Sequence, residues 1–519
     1  RDFSETIDGL ASLIHWNREA IVEKLKAASS MPSSFPVKIK SDIPMDEVAK
    51  LEAHRVYVPG VSIQIEHMRN YIYGPSFAHV IGYVSEISDE ELKDKKKYKD
   101  YSPGDYIGKY GLEKTYEQYL RGVDGEKRVE VDATGREVRT LEIIEPTPGN
   151  SLYLNIDLDL QLVADKALES KRGGVVALDP KTGGVVVLAS RPGFDPNKFT
   201  SGISKEDWKA ISSDKAHPLQ NKAIQAGYPP GSTFKILMAI AAMEEGVINE
   251  HTTFFCKGGF GFGNRVFKCW QHKGHGSVNL QRAIKESCDV FFYNTGLKLG
   301  VDRIHKMADT IGLGKITGID LPAEQKGIIP STEWKMKRFG QPWYEGETVS
   351  VSIGQGAVWL TPIQLAQLAS FVANNGKDFK PQIVNRIISN TGQLIKSFTP
   401  VVKAELKLKP ETLKIVQKGM RDVVNEPGGT AYASRMPNVA MSGKTGTAQV
   451  GALGSAAYQG DHAWFIAYAP SEEPSLAISV LVEFGQHGSS QAAPIAKAIT
   501  ETLFKEKIEV KEAKAHENR

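Results

Sequence analysis

Three short motifs, far apart in the chain, must meet in space for their chemistry to make sense. They are Ser232-Thr-Phe-Lys235, Ser287-Cys-Asp289 and Lys444-Thr-Gly446, in that order. The first offers a serine nucleophile with a lysine one helical turn away. The second offers another hydroxyl with a polar partner, and the third a cationic strand with glycine beside it. Together they are the parts of one acyl-transfer site, and any fold that uses them has to close distant segments onto each other.

Each motif reads differently alone. Ser232 follows Tyr228-Pro-Pro-Gly231, and the apolar run Ile236 to Met243 continues as a buried helix. The serine thus sits at a helix N-terminus, where free N–H groups and the helix dipole favour an oxyanion. Lys235 shares its face, and its apolar neighbours can desolvate it into a base. By itself this pair is more often a serine N-cap with a chance lysine. Ser287-Cys-Asp289 could close any helix. Lys444-Thr445-Gly446-Thr447, preceded by Ser442-Gly443, lies on an expected strand whose two glycines let an extended peptide approach the edge. There Lys444, Thr445 and Thr447 can hold a carboxylate. A second triplet, Lys181-Thr-Gly183, follows Asp179-Pro180 and reads as turn chemistry only.

At 519 residues the chain exceeds one ordinary core. A net charge of +3 gives no argument for nucleic acid as a partner. The run Ile236 to Met243 is far shorter than the roughly 20 residues of a membrane helix. No signal peptide is visible, and the chain begins at Arg1, so the expectation is a truncated or processed start without its membrane anchor.

The domain expectation is 1–148, 149–504 and 505–519. The first part has helical spacing over Ile7 to Ala27 and Met45 to Ala53, a polar run from Ser88 to Tyr101, a helical stretch over 108–120, and alternation over Lys127 to Glu142. Glu145-Pro-Thr-Pro-Gly149 is the boundary. Beyond it, Ser151 to Asp157 reads as a strand and Leu160 to Ser170 as a helix. Gly173 to Leu178 and Gly184 to Ser190 form a hairpin, and Val439 to Val450, Ala463 to Tyr468 and Leu476 to Glu483 are three more strands. Strands at both ends of a helical middle predict an α/β (α+β type) domain with one mixed sheet flanked by helices. Lys505 to Arg519 is so charged that a disordered tail is expected.

The three cysteines, Cys256, Cys269 and Cys288, all lie between Ser232 and Asp289, with His272 and His275 among them. Three thiolates and His275 make a tetrahedral zinc set, and Cys288 would tie it to the second motif. The competing reading is a Cys256–Cys269 disulfide with Cys288 free.

The three motifs are the signature of penicillin-binding proteins and class A β-lactamases. Over nearly its whole length the chain resembles the class B penicillin-binding proteins, most closely the elongation-type penicillin-binding protein 2 group of Gram-negative bacteria. Gly354-Gln-Gly356 with Thr361 to Ala366, His462-Ala-Trp-Phe465 and Tyr468-Ala-Pro470 resemble stretches of these transpeptidases. Ala78-His-Val-Ile-Gly-Tyr83, Gly111-Leu-Glu113 and Tyr116-Glu117 resemble their elongated N-terminal pedestal. Many members carry asparagine where this chain has Asp289. The resemblance implies a D,D-transpeptidase cross-linking peptidoglycan stem peptides through a serine acyl-enzyme, and a target of β-lactams. It needs no cofactor for the transfer. It also implies an inner-membrane anchor, a periplasmic catalytic domain, and a pedestal that docks a RodA-type polymerase and an MreC-type scaffold. Ser232 would attack, Lys235 would take its proton, and Ser287 would relay one to the leaving amine. The N–H groups of Ser232 and Thr447 would form the oxyanion hole.

Three other functions stay open at this stage. A D,D-carboxypeptidase would use water as acceptor. A β-lactamase or β-lactam sensor would share the motifs but not the long N-terminal part. A non-catalytic activator of a glycan polymerase would not need Ser232, Lys235 and Lys444 intact.

Overall fold

The computed structural model describes residues 4–29, 36–131, 137–450 and 460–517. In the N-terminal part, helices Ser4–Leu13, Arg18–Ala27 and Met45–Ala53 close on a small core of Leu10, Ile14, Ile21, Leu51 and Val58. The helical spacing from Ile7 to Ala27 is broken in the middle because Asn17 caps the second helix, accepting from the N–H groups of Glu19 and Ala20. The polar run contains one short helix, Asp89–Leu92, closed by a Ser88–Glu91 capping box. The alternating run forms an antiparallel hairpin, Glu126–Val131 with Glu137–Ile144.

The second part is built on a five-stranded sheet. Its strands are β1 (Gly173–Leu178), β2 (Val185–Arg191), β3 (Ser442–Ala448), β4 (His462–Ala469) and β5 (Leu476–Val482), in the spatial order β3-β4-β5-β1-β2. The expectation of a mixed sheet is corrected to a purely antiparallel one, since every one of its ladders is antiparallel. β1 and β2 are joined by the tight Asp179 to Gly183 turn, and β3, β4 and β5 follow one another in sequence, while the long helical middle carries the chain from β2 at one edge to β3 at the other and leaves β5 beside β1. Ser151–Leu154 lies outside this sheet and pairs with Val384–Ile388.

All residues of β5 are buried, so both faces of the sheet are covered. Helices α1 (Lys235–Glu244), α2 (Asp289–Leu299), α3 (Pro362–Ala373), α4 (Pro410–Asn425) and α5 (Ala493–Glu517) supply most of that cover and the adjoining core. Every residue of α3 is buried, which its apolar composition on all sides requires. α5 corrects one expectation. It runs through most of the charged stretch expected to be a tail, because Lys, Glu and Ala are strong helix formers and charge alone does not forbid a helix.

Candidate active site

The nucleophile candidate sits in a 3₁₀ turn, Gly231–Phe234, that leads directly into α1. Gly231 adopts a φ of +54°, and a Cβ there would lie 2.5 Å from the Thr447 carbonyl oxygen. The turn therefore rests against strand β3, and Ser232 is held beside Lys444-Thr-Gly446.

Lys235 begins α1 and is completely buried. Its ammonium donates to the Ser287 carbonyl at 2.9 Å, to Ser287 Oγ at 3.2 Å and to Asp289 Oδ1 at 2.6 Å. An ammonium has three protons, and these three acceptors use them all.

Ser287 follows helix Leu280–Lys285 and takes a φ of +55°. A non-glycine residue in the left-handed region is costly and is found where surrounding structure enforces it. Here it ends the helix and turns the hydroxyl between two lysines. Lys444 Nζ donates to Ser287 Oγ at 2.8 Å and to the Thr445 carbonyl at 3.0 Å. One hydroxyl thus joins all three motifs. Lys444 is fully buried, and burial pushes its amine well below the usual lysine range. The Lys235 charge pushes it further, and Asp289 offsets part of the shift.

Asp289 has two donors, one for each oxygen: Lys235 Nζ on Oδ1 and the Trp270 backbone N–H on Oδ2 at 3.0 Å. An asparagine would offer only one acceptor oxygen, so aspartate matches this pair better. The Trp270 indole N–H also donates to the Glu286 carbonyl at 3.0 Å. Trp270 was not singled out in the sequence, because its link to Asp289 is a backbone donor and no side-chain pattern announces it.

Thr445 pairs its hydroxyl with that of Thr430 at 2.7 Å, a second residue the motifs do not mark. Gly443 and Gly446 are glycines for a different reason than expected. A Cβ on Gly443 would lie 2.5 Å from Phe465 Cζ, and one on Gly446 would lie 2.9 Å from both Thr233 Cγ2 and Trp464 Cβ. They admit the protein's own nucleophile turn and neighbouring strand rather than an incoming peptide. β3 is still the edge of the sheet, so a strand can add there. Lys181 is exposed in the β1–β2 turn, with its N–H on Asp179 Oδ1.

The cysteines form a cluster beside this site. Cys256, Cys269 and Cys288 are buried with free thiols, and their sulfurs and a His275 ring nitrogen all lie within 4.8 Å of one another. His275 Nδ1 is 3.6 Å from both the Cys256 and Cys269 sulfurs. Tetrahedral zinc, with Zn–S of ~2.3 Å and Zn–N of ~2.0–2.1 Å, sets an S···N edge of about 3.5 Å, which the His275 separations from Cys256 and Cys269 match. Cys288 donates to Cys269, which holds the Cys269 thiol below the usual range and pushes Cys288 up. His272 is outside the cluster.

The comparisons with known proteins bear on the chain as a whole. The penicillin binding protein transpeptidase domain matches residues 173–501, and the penicillin-binding protein dimerisation domain matches residues 1–154. The chain is 36% identical over 502 residues to the peptidoglycan D,D-transpeptidase MrdA of Escherichia coli strain K12, covering 93% of this chain and 79% of that protein. It resembles penicillin-binding protein 2 of Helicobacter pylori, solved in complex with MreC, with a TM-score of 0.82 and 32% identity over 96% of this chain and 91% of that one. It also resembles a chain from a peptidoglycan synthase complex that coordinates polymerization and crosslinking, with a TM-score of 0.75 and 32% identity over 93% of this chain and 84% of that one. The chain belongs to the penicillin-binding protein transpeptidase family, in the branch that contains the MrdA, or penicillin-binding protein 2, enzymes.

Proposed function

We propose that this chain is a serine D,D-transpeptidase that cross-links peptidoglycan stem peptides during cell elongation and is acylated by β-lactams. The observation that carries the reading is the Ser287 hydroxyl shared by Lys235 and Lys444, beside the Ser232 turn. Ser232 attacks the carbonyl between the two terminal D-alanines of a donor peptide. The N–H groups of Ser232 and Thr447 receive the oxyanion. Lys235 can take the Ser232 proton only after giving up one of its own three. Lys444, one hydroxyl away through Ser287, is the group placed to receive it. Lys444 is then cationic when the donor's carboxylate lies on Thr445 and Thr447, so its charge acts through the site rather than by open contact. Ser287 returns a proton to the leaving amine. The amine of a second stem peptide then displaces Ser232 from the acyl-enzyme.

The experiment supplies the purified chain with a pentapeptide donor and an amine acceptor. Release of D-alanine together with a cross-linked dimer is expected. Release of D-alanine with only the trimmed peptide would make the chain a carboxypeptidase, and no release would make it a non-catalytic activator.

Zinc would be held by Cys256, Cys269, Cys288 and His275, as a structural ion. It takes no part in acyl transfer. It would fix the Cys269–Trp270 backbone and hence the N–H that holds Asp289. Purified protein is expected to carry close to one equivalent of zinc, and chelation to lower the melting temperature and slow acylation together. A metal-free protein with a Cys256–Cys269 disulfide and full acylation would contradict this.

The reading divides the chain near Pro148 into a pedestal and a transpeptidase domain. The pedestal would dock an MreC-type scaffold and a RodA-type polymerase, as the complexes of the related proteins suggest. Among the described residues no helix is long and apolar enough to cross a membrane. By kinship with the elongation enzymes, the protein works at the inner membrane with its catalytic domain facing the periplasm.

A further inference from the structure

We infer that Trp464 is a positioning residue for acyl transfer, setting the spacing between the two backbone donors of the oxyanion hole. Trp464 lies on β4 directly opposite Gly446. It is fully buried, and its indole N–H donates to the Pro229 carbonyl at 3.0 Å. Pro229 stands three residues before Ser232, so one side chain ties the strand next to Lys444-Thr-Gly446 to the segment that carries the nucleophile.

The rest of that segment is bonded elsewhere. The Tyr228 backbone exchanges two 2.9 Å hydrogen bonds with Leu360, the Gly231 N–H donates to Gly354 at 3.0 Å, and Thr233 Oγ1 donates to Pro230 at 2.8 Å. These bonds shape the turn and hold it to the helical side of the domain. Trp464 holds it to the sheet at Pro229, while the Tyr228 hydroxyl, donating to Glu483 Oε1 at 2.7 Å, ties the start of the segment to the residue after β5. The two surfaces are already in contact, since a Cβ on Gly446 would lie 3.0 Å from the Pro230 carbonyl oxygen and one on Gly231 would lie 2.5 Å from that of Thr447. With no slack between them, movement of Pro229 away from Trp464 changes the distance between the Ser232 and Thr447 N–H groups. Oxyanion stabilisation depends on both donors being aimed at one point before the reaction starts.

A merely structural tryptophan would affect folding and ligand binding without singling out the chemical step. The test measures acylation of the whole chain by a fluorescent penicillin and separates the noncovalent dissociation constant from the acylation rate constant. Trp464→Phe keeps an aromatic ring and removes the donor. Replacement of Trp464 by 3-benzothienylalanine keeps the shape and removes only the N–H. The acylation rate constant is expected to fall about tenfold to a hundredfold, less than the ~10²–10³ for losing a donor outright. The dissociation constant should stay within about twofold, since uniform binding is untouched. A boronic acid that forms a tetrahedral adduct should lose affinity in step with the rate.

An acylation rate within about twofold of the parent, or equal losses in rate and binding, would overturn the proposal. So would failure of the benzothienylalanine protein to fold, which would make Trp464 a packing residue. The inference rests on Ser232 being the nucleophile. Penicillin labelling that survived in Ser232→Ala would defeat that reading and this inference with it, whereas unchanged acylation in the Trp464 variants alone would defeat only the inference.

Discussion

Lys181-Thr-Gly183 and Lys444-Thr-Gly446 carry the same three residues on the same sheet, and their surroundings give them opposite duties. Lys181 is exposed in the β1–β2 turn, where Asp179 accepts from its N–H at 2.8 Å and from the Thr182 hydroxyl at 2.9 Å. Gly183 is glycine because its φ is +77° and because a Cβ there would lie 2.6 Å from the Lys380 carbonyl oxygen. Lys444 is completely buried on the edge strand and bonded to Ser287. Gly446 has an ordinary strand backbone and is glycine because Thr233 and Trp464 leave no room for a Cβ. The triplet is therefore a turn in one place and the edge strand of the candidate site in the other. What separates them is burial and the partners that the fold brings up.

The largest effect expected from this comparison is at the lysines. Lys444→Met, which keeps much of the volume, should slow acylation by penicillin at least about a hundredfold, because Ser287 loses its proton partner. Lys181→Met should leave the rate within about twofold. Equal losses would mean that the wrong triplet was placed in the site.

The same variant has a pH signature. The native pKa of Lys444 is depressed from 10.5, so the folded state binds its proton less readily than the unfolded state. Between that depressed value and 10.5 the unfolded state holds more protons, and stability must rise with pH. The contribution is complete above 10.5 and is lost as pH falls through the native value. Melting curves across the alkaline range should show this rise in the parent relative to Lys444→Met. Parallel curves would mean that Lys444 is not depressed.

A smaller and more diagnostic contrast lies at the glycines. Gly446→Ala should cost acylation about tenfold or more, by pushing the nucleophile turn away from β3. Gly183→Ala should cost at least about 1–3 kcal/mol of stability through its positive φ and its contact with the Lys380 carbonyl, with acylation of the folded protein unchanged. Activity loss at Gly183 would break the division between turn and site.

The sequence and the structure meet at the motifs and part at what supports them. That the motifs of Ser232, Lys235, Ser287 and Lys444 would be brought together was legible because reactive side chains at fixed spacing carry a chemical meaning. The strand periods of β1, β2, β4 and β5 were legible because burial on both faces leaves continuous apolar runs. Trp270 and Thr430 were not, since one acts through a backbone N–H and the other is an ordinary loop hydroxyl until Thr445 is brought beside it. The full occupation of the Lys235 ammonium was equally hidden, because its acceptors come from Ser287 and Asp289, which sequence alone does not place at hydrogen-bond distance. The charged C-terminal stretch misled in the other direction, since composition spoke of solvation while helix propensity decided the backbone.

The central claim is that the three motifs form one acylation site with Ser232 as its nucleophile. Intact mass spectrometry after incubation with a labelled penicillin, followed by peptide mapping, tests it most directly. The parent chain should gain a single penicilloyl adduct on Ser232 that persists for many minutes, and Ser232→Ala should gain none. An adduct that forms on Ser232→Ala, maps to another residue, or turns over rapidly would contradict the account.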